Sequence, residues 1–265
     1  RQDKTMLDEL QHFKGRVAVV TGGFSGIGLA SALSLARQGA AVALGARSVA
    51  AEPQQQLADI GASVYAGLLD VRDSASVTQF ISEAEANLGP IDIVINSAGI
   101  STSQSVADHD EQTWIDVIDT NLIGCFRMMH ACLPGMIERD WGRIVSIGST
   151  AARTAVPGHS AYCASKSGLL GLNRAVSLEG AAHGVSATVV SPTWVQTDMF
   201  NASFKAKAEK NGTGLDDEIA KMISQSPQQR LVQPNEIGEL VAYLCREEAA
   251  AITMEDIQVN AAAWW

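Results

Sequence analysis

From Arg16 onward short apolar runs alternate with longer amphipathic stretches, and this alternation leaves few architectures open. The runs lie at residues 17–20, 41–44, 63–66, 91–95, 143–147, 186–190 and 257–259. Most are continuously apolar rather than alternating, as strands covered on both faces require. Between them, Leu29, Leu33 and Ala36 recur at i, i+4, i+7, and Leu169, Leu172 and Val176 at i, i+3, i+7. Each set predicts a helix that lays an apolar stripe on the sheet. Pro234 predicts the start of another helix, reaching about Cys245. The expected fold is therefore α/β, a doubly wound seven-stranded parallel sheet flanked by helices. No linker, repeat or shift in composition divides the chain, so 13–265 is expected to be a single domain behind an N-terminal tail at 1–12.

One stretch breaks the pattern. Residues 198–228 mix Asn201, Lys205, Lys207, Lys210, Asn211, Gly212 and Gly214, a length and polarity that suit either a substrate lid above the sheet's C-terminal edge or an ordinary surface excursion.

A net charge of −10 argues against nucleic acid and against an anionic membrane surface, both of which need a basic footprint. The apolar runs are far too short to cross a bilayer, and Asp3, Asp8 and Glu9 exclude a signal-peptide core at the start. Cys125, Cys132, Cys163 and Cys245 form no C-x-x-C pair and no secreted framework, so they are expected to be reduced thiols in a cytoplasmic protein. No Cys/His cluster has ligand spacing, so no metal site is expected.

Directly after the first apolar run comes Thr21-Gly22-Gly23-Phe24-Ser25-Gly26-Ile27-Gly28, a glycine-rich turn opening a helix. Gly22 permits a tight turn, Gly26 lets backbone N–H groups approach phosphate oxygens, and Gly28 lets helix pack closely on strand, all at the positive end of a helix dipole. Leu29 rather than Lys follows Gly28, which excludes a P-loop. At the end of the second run the chain reads Ala46-Arg47-Ser48, with no carboxylate to take the adenosine ribose hydroxyls of NAD. A guanidinium there favours the 2′-phosphate of NADP; Arg47 as plain solvated surface is the alternative.

In the second half, Ser149 is followed thirteen residues on by Tyr162 and four further by Lys166. One helical turn separates the last two, so a phenol and an ammonium share a face. At ~4 Å and an effective dielectric of ~20 a fixed cation favours a phenolate by up to roughly 4 kcal/mol, which turns a poor base into a useful one. Taken alone, Tyr-x-x-x-Lys is common on helix surfaces.

Together these motifs resemble the short-chain dehydrogenase/reductase family, from Lys14 to the C-terminus, which implies a Rossmann-type sheet. Thr21-Gly22 with Gly26-Ile27-Gly28 is similar to its cofactor turn, Asp70-Val71 to its adenine contact, Asn96-Ser97-Ala98-Gly99 to its motif after the fourth strand, and Ser191-Pro192 through Thr197 to its nicotinamide-side loop. The resemblance implies that Tyr162 is the acid or base, that Ser149 steadies the substrate oxygen, and that Lys166 binds ribose and supports the phenolate. It further implies that Asn121 links Lys166 through water to solvent and that Pro192, Val195 and Thr197 border nicotinamide. NADP(H) is the favoured cofactor, NAD(H) the alternative, and a secondary alcohol or ketone the substrate. A homo-oligomer, a tetramer, is expected, with Trp264 and Trp265 at an interface or fraying at the surface. Pocket candidates by position are Ser101, Ala151, Arg153, His159, Trp194, Met199 and Phe200.

Three positions depart from the family pattern: Ser97 for a second Asn, Thr193 for Gly, and Asn260-Ala261-Ala262 for Asp-Gly-Gly. Leu133-Pro134-Gly135-Met136, Leu231-Val232-Gln233-Pro234 and Trp194 look like the 3-hydroxybutyrate dehydrogenase branch, with some likeness also to 3-oxoacyl reductases. Yet Ala151 and His159 stand where the former has carboxylate-binding His and Lys. A protein that binds the cofactor as a sensor or scaffold without turnover is the rival reading.

Overall fold

The computed structural model describes residues 11–263. Residues 1–10 and Trp264-Trp265 lie outside them, and with them most of the expected tail and the expected role of the tryptophans. Seven strands form one parallel sheet: β1 (Val17–Thr21), β2 (Ala41–Ala46), β3 (Val64–Leu68), β4 (Ile93–Asn96), β5 (Gly142–Ile147), β6 (Val185–Pro192) and β7 (Asp256–Val259). Their order is β3-β2-β1-β4-β5-β6-β7. Because the winding reverses between β1 and β4, the connections there leave in opposite directions and open a crevice at the C-terminal strand ends.

The helices are α1 (Gly26–Arg37), α2 (Ala51–Asp59), α3 (Ser74–Leu88), α4 (Glu111–Ile118), α5 (Gly124–Glu138), α6 (Ser160–Gly180), α7 (Asp198–Asn211), α8 (Leu215–Gln225) and α9 (Pro234–Leu244). Two apolar layers sandwich the sheet. One joins Val20, Leu35, Leu44, Ile95, Ile237 and Val241, and the other Val19, Phe80, Val94, Met128, Ile144 and Val176. β1, β2, β4, β5 and β6 are thus strands buried on both sides, while the edge strands β3 and β7 are only partly covered.

Local chemistry sets the boundaries. Asp73 and Asp110 cap α3 and α4 by accepting from Ala75 N and Thr113 N, and Glu236 accepts from Gln233 N at 2.8 Å to close the first turn of α9. The run at 91–95 reaches two residues ahead of β4, where the buried Asp92 carboxylate instead accepts from Val17 N at 3.1 Å. At the N-terminal side of the described residues Phe13 is buried and its N–H donates to Gln38 O at 2.8 Å.

The irregular stretch at 198–228 folds as α7 and α8 around a small core of its own, Phe200, Phe204, Met222 and Leu231 with Trp194. Glu218 of α8, 4% exposed, accepts from Asn211 and Thr213 at 2.9 Å and pairs with Lys207 at 3.1 Å. These hydrogen bonds hold its carboxyl down at about 2.

The cysteines are free; burial pushes Cys125 up to about 11 and Cys132 and Cys245 to about 12, so these three are inert thiols. Among the described residues no helix is long and apolar enough to cross a membrane.

Candidate active site

The glycine turn leaves β1 at the crevice. Gly22 has φ +64°, which a side chain would resist, and a Cβ on Gly28 would lie 2.3 Å from Gly22 O, so neither position admits another residue without moving backbone. Phe24 and Ile27 pack onto the core and pin the turn. Ser25 precedes α1 in an extended conformation, makes no capping hydrogen bond with its side chain, and no acid stands in the first turn of that helix. The helix therefore presents N–H groups and positive potential without an internal anion to answer them.

Two other segments close on this turn. Thr21 Oγ1 accepts from Ser97 N and Ala98 N, both at 3.0 Å, which ties the end of β1 to the segment after β4. Gly26 lies against Thr197, whose Cγ2 would be 3.2 Å from a Cβ there. Thr197 in turn caps α7 by accepting from Phe200 N at 3.3 Å, while Val195 is buried and bridges Val232. Pro192 ends β6 opposite Val259. Asn96 is buried, donates to Ser146 Oγ at 3.2 Å, and its Oδ1 has no partner among the described residues.

Beyond β2, Arg47 and Ser48 are exposed. Arg72 grips Asp70 through Nε at 3.0 Å and Nη2 at 2.7 Å, and with the more distant Arg47 charge this holds the Asp70 carboxyl below its ordinary range. Arg47 is therefore near Asp70 without being bound to it. Val71 is buried against Gly124.

The catalytic candidates are carried by α6 and by the segment that follows β5. Tyr162 and Lys166 are one turn apart on α6, with the Lys166 ammonium 5.6 Å from the Tyr162 ring centre. Lys166 is 5% exposed and donates to Ile147 O at 2.6 Å, which draws it to the end of β5. From there the chain enters a short 3₁₀ turn, Thr150–Ala152, capped by Ser149, whose Oγ accepts from Ala151 N at 3.1 Å. Ser167 Oγ donates to Ala152 O at 2.9 Å and fastens this turn to α6. Ser149, Tyr162 and Lys166 are thus carried by two segments bonded to each other.

Asn121 is fully buried in a single π turn, Asp119–Ile123, inserted between α4 and α5. Its Oδ1 accepts from Ile100 N at 2.8 Å, and its Nδ2 donates to Ile100 O at 2.9 Å and Ser165 Oγ at 3.1 Å. Gly99 stands beside this amide and close to Lys166 Nζ. The segment after β4 is thereby locked to the helix that carries the tyrosine.

Among the pocket candidates, Ser101 and Met199 are exposed, Ala151 is buried, and the His159 ring lies 3.2 Å from Pro157 O. Trp194 meets Phe200 and Phe204 edge-on, and Phe200, 4% exposed, belongs to the interior of the α7–α8 unit. Arg153 is committed to Asp256 at 2.6 Å. Sequence reasoning missed Ser165, which Asn121 engages, and Asp256, although an acid opening an otherwise uncharged strand was a visible signal.

The model of the short chain dehydrogenase family matches residues 16–208. The 3-oxoacyl-[acyl-carrier-protein] reductase FabG of Escherichia coli is 35% identical over 250 residues, 94% of this chain and 97% of that protein. A D-beta-hydroxybutyrate dehydrogenase of Cupriavidus necator is 32% identical, covering 94% and 95%. Among solved structures, a variant of actinorhodin polyketide ketoreductase with NADPH superposes with a TM-score of 0.90 at 33% identity, over 93% of this chain and 96% of that one. With a family model matching residues 16–208 and relatives matching nearly its whole length, this parallel-sheet chain belongs to the short chain dehydrogenase family.

Proposed function

We propose that the protein moves hydride between NADP(H) and a secondary alcohol or ketone, with NAD(H) the weaker cofactor. Oxidoreduction of ketones with a nicotinamide cofactor follows from the family and from relatives named as ketone reductases. The glycine cradle supports a dinucleotide: it has no room for a side chain at Gly28 and no internal anion at the start of α1. Gly22, Ser25, Gly26 and the first N–H groups of α1 would hold pyrophosphate; Arg47 and Ser48 the 2′-phosphate; Asp70 and Val71 adenine; and Pro192, Val195 and Thr197 the nicotinamide side. Bound there, the cofactor supplies or accepts the hydride.

The chain's own residues manage the proton. Tyr162 gives its phenolic proton to the carbonyl oxygen in reduction and takes one from the alcohol in oxidation. Lys166, held by Ile147 O with its ammonium 5.6 Å from the Tyr162 ring centre, would bind the cofactor's ribose. Since Ser149 Oγ accepts from Ala151 N, its hydroxyl proton is left to donate to the substrate oxygen as charge develops. Asn121 holds the Ile100 segment and Ser165 in place around Lys166.

The observation that carries this reading is the bonded pair of segments bearing Ser149, Tyr162 and Lys166 beside the cradle. NADPH consumption across a panel of uncharged ketones tests it: wild type turns over, and Tyr162→Phe abolishes turnover while NADPH binding and fold persist. NADPH binding with no turnover by wild type would instead support a sensor or scaffold.

Two further readings accompany this one. α7 and α8 act as a lid, supported by Thr197 touching both the cradle and the first turn of α7. A homotetramer is supported by exposed Phe126 on α5 and Leu178 on α6, and sedimentation of the full chain measures it. The free thiols are in keeping with a cytoplasmic setting.

A further inference from the structure

Asp256 opens β7, the last strand, and its side chain is 4% exposed. No cofactor or substrate role falls to it. Its Oδ2 accepts from Arg153 Nε at 2.6 Å and from Gln258 Nε2 at 2.9 Å, and its Oδ1 accepts a short hydrogen bond from Ser191 Oγ. Its backbone oxygen meets Arg153 Nη2 at 3.5 Å.

These partners belong to segments that the chemistry must hold in register. Arg153 closes the 3₁₀ turn that Ser149 opens. Ser191 directly precedes Pro192, where β6 ends and the Val195–Thr197 segment begins. Gly148 N, one residue ahead of Ser149, donates to Val190 O at 2.7 Å, so the two segments already run side by side; Asp256 clamps both from the strand beyond.

A buried carboxylate is costly to strand, which accounts for its several donors. Arg153, however, is 44% exposed, and an ion pair with so open a cation adds little to global stability. Its consequence is orientation. We propose that Asp256 and Arg153 are positioning residues that fix the Ser149 hydroxyl relative to the Pro192–Thr197 segment, an inference that rests on the function proposed above.

The test uses the full chain with the uncharged ketone of the panel that wild type reduces fastest. Arg153→Ala is expected to lower kcat about ten- to a hundred-fold, the effect of a small misplacement at a reacting centre. KM, NADPH affinity and Tm should change little, and Arg153→Lys should restore most of the rate. Asp256→Asn keeps an acceptor for Ser191 but removes the charge from Arg153, and the double variant should be no worse than the weaker single one, as for residues acting as a unit. An unchanged kcat in Arg153→Ala, or a loss matched by equal losses in NADPH binding and Tm, overturns the positioning role. Wild type inactive on the whole panel overturns the proposed function instead.

Discussion

Replacing Asn121 by Ala removes three hydrogen bonds at once from a fully buried position. Two of them satisfy both the N–H and the C=O of Ile100, a residue outside any strand or helix that has no ladder to fall back on. At a net ~1 kcal/mol per bond, with more for buried groups left unpaired, the cost is about 2–4 kcal/mol. For a domain of this size that lowers Tm by roughly 4–16 °C. Because Gly99, next to Ile100 in the chain, lies close to Lys166, kcat should fall on the order of ten-fold or more in the same variant. Asn121→Asp keeps the acceptor for Ile100 N but sets a carboxylate oxygen against Ile100 O, so it should cost at least as much despite matching shape. Thermal unfolding followed by circular dichroism, at one fixed protein concentration in case subunits associate, with kcat measured in parallel, decides the matter. An Asn121→Asp variant with wild-type Tm and kcat would refute the two-sided clamp on Ile100.

Arg47→Ala should weaken NADPH binding about ten- to a hundred-fold, the worth of one charge-assisted hydrogen bond, and leave NADH nearly unaffected; calorimetry showing that wild type binds NAD(H) as tightly as NADP(H) refutes this. Ala262 stands at φ +62°, so Ala262→Gly relieves left-handed strain of about 1–2 kcal/mol against a glycine entropy cost of about 0.5–1 kcal/mol, and denaturant titration should find a gain of up to about 1.5 kcal/mol. Glu218 is held at about 2 against an ordinary 4.5, so its stabilisation of the α7–α8 unit is complete above pH 4.5 and is lost as pH falls toward 2. Glu218→Gln should therefore loosen the unit at neutral pH, read by Trp194 fluorescence, and its difference from wild type should vanish with acidification; a difference that does not depend on pH excludes this.

Periodicity alone determined the sheet. Strands buried on both faces are largely apolar, and helices laid on a sheet have to carry a stripe, so the inner strands and α1 were readable from local pattern, while the edge strands β3 and β7 are only partly covered. The glycine turn was legible for a similar reason, since a steric requirement at Gly22 and Gly28 leaves a mark at a single position. The candidate set of Ser149, Tyr162 and Lys166 was legible as spacing, and by resemblance as a set. What holds it together was not. Ile147 O holds Lys166, Ile100 is gripped by Asn121, and Ser191 and Arg153 meet on Asp256, contacts that join residues up to 103 positions apart. A backbone carbonyl leaves no trace in residue identity, and an arginine reads the same whether it faces substrate or a buried acid. Likewise the packing of Phe200 with Phe204, Met222 and Leu231 was not readable from position, because an apolar ring goes to whichever interior the fold puts within reach. Sequence set which groups exist and in what order; the winding of the sheet decided which of them touch.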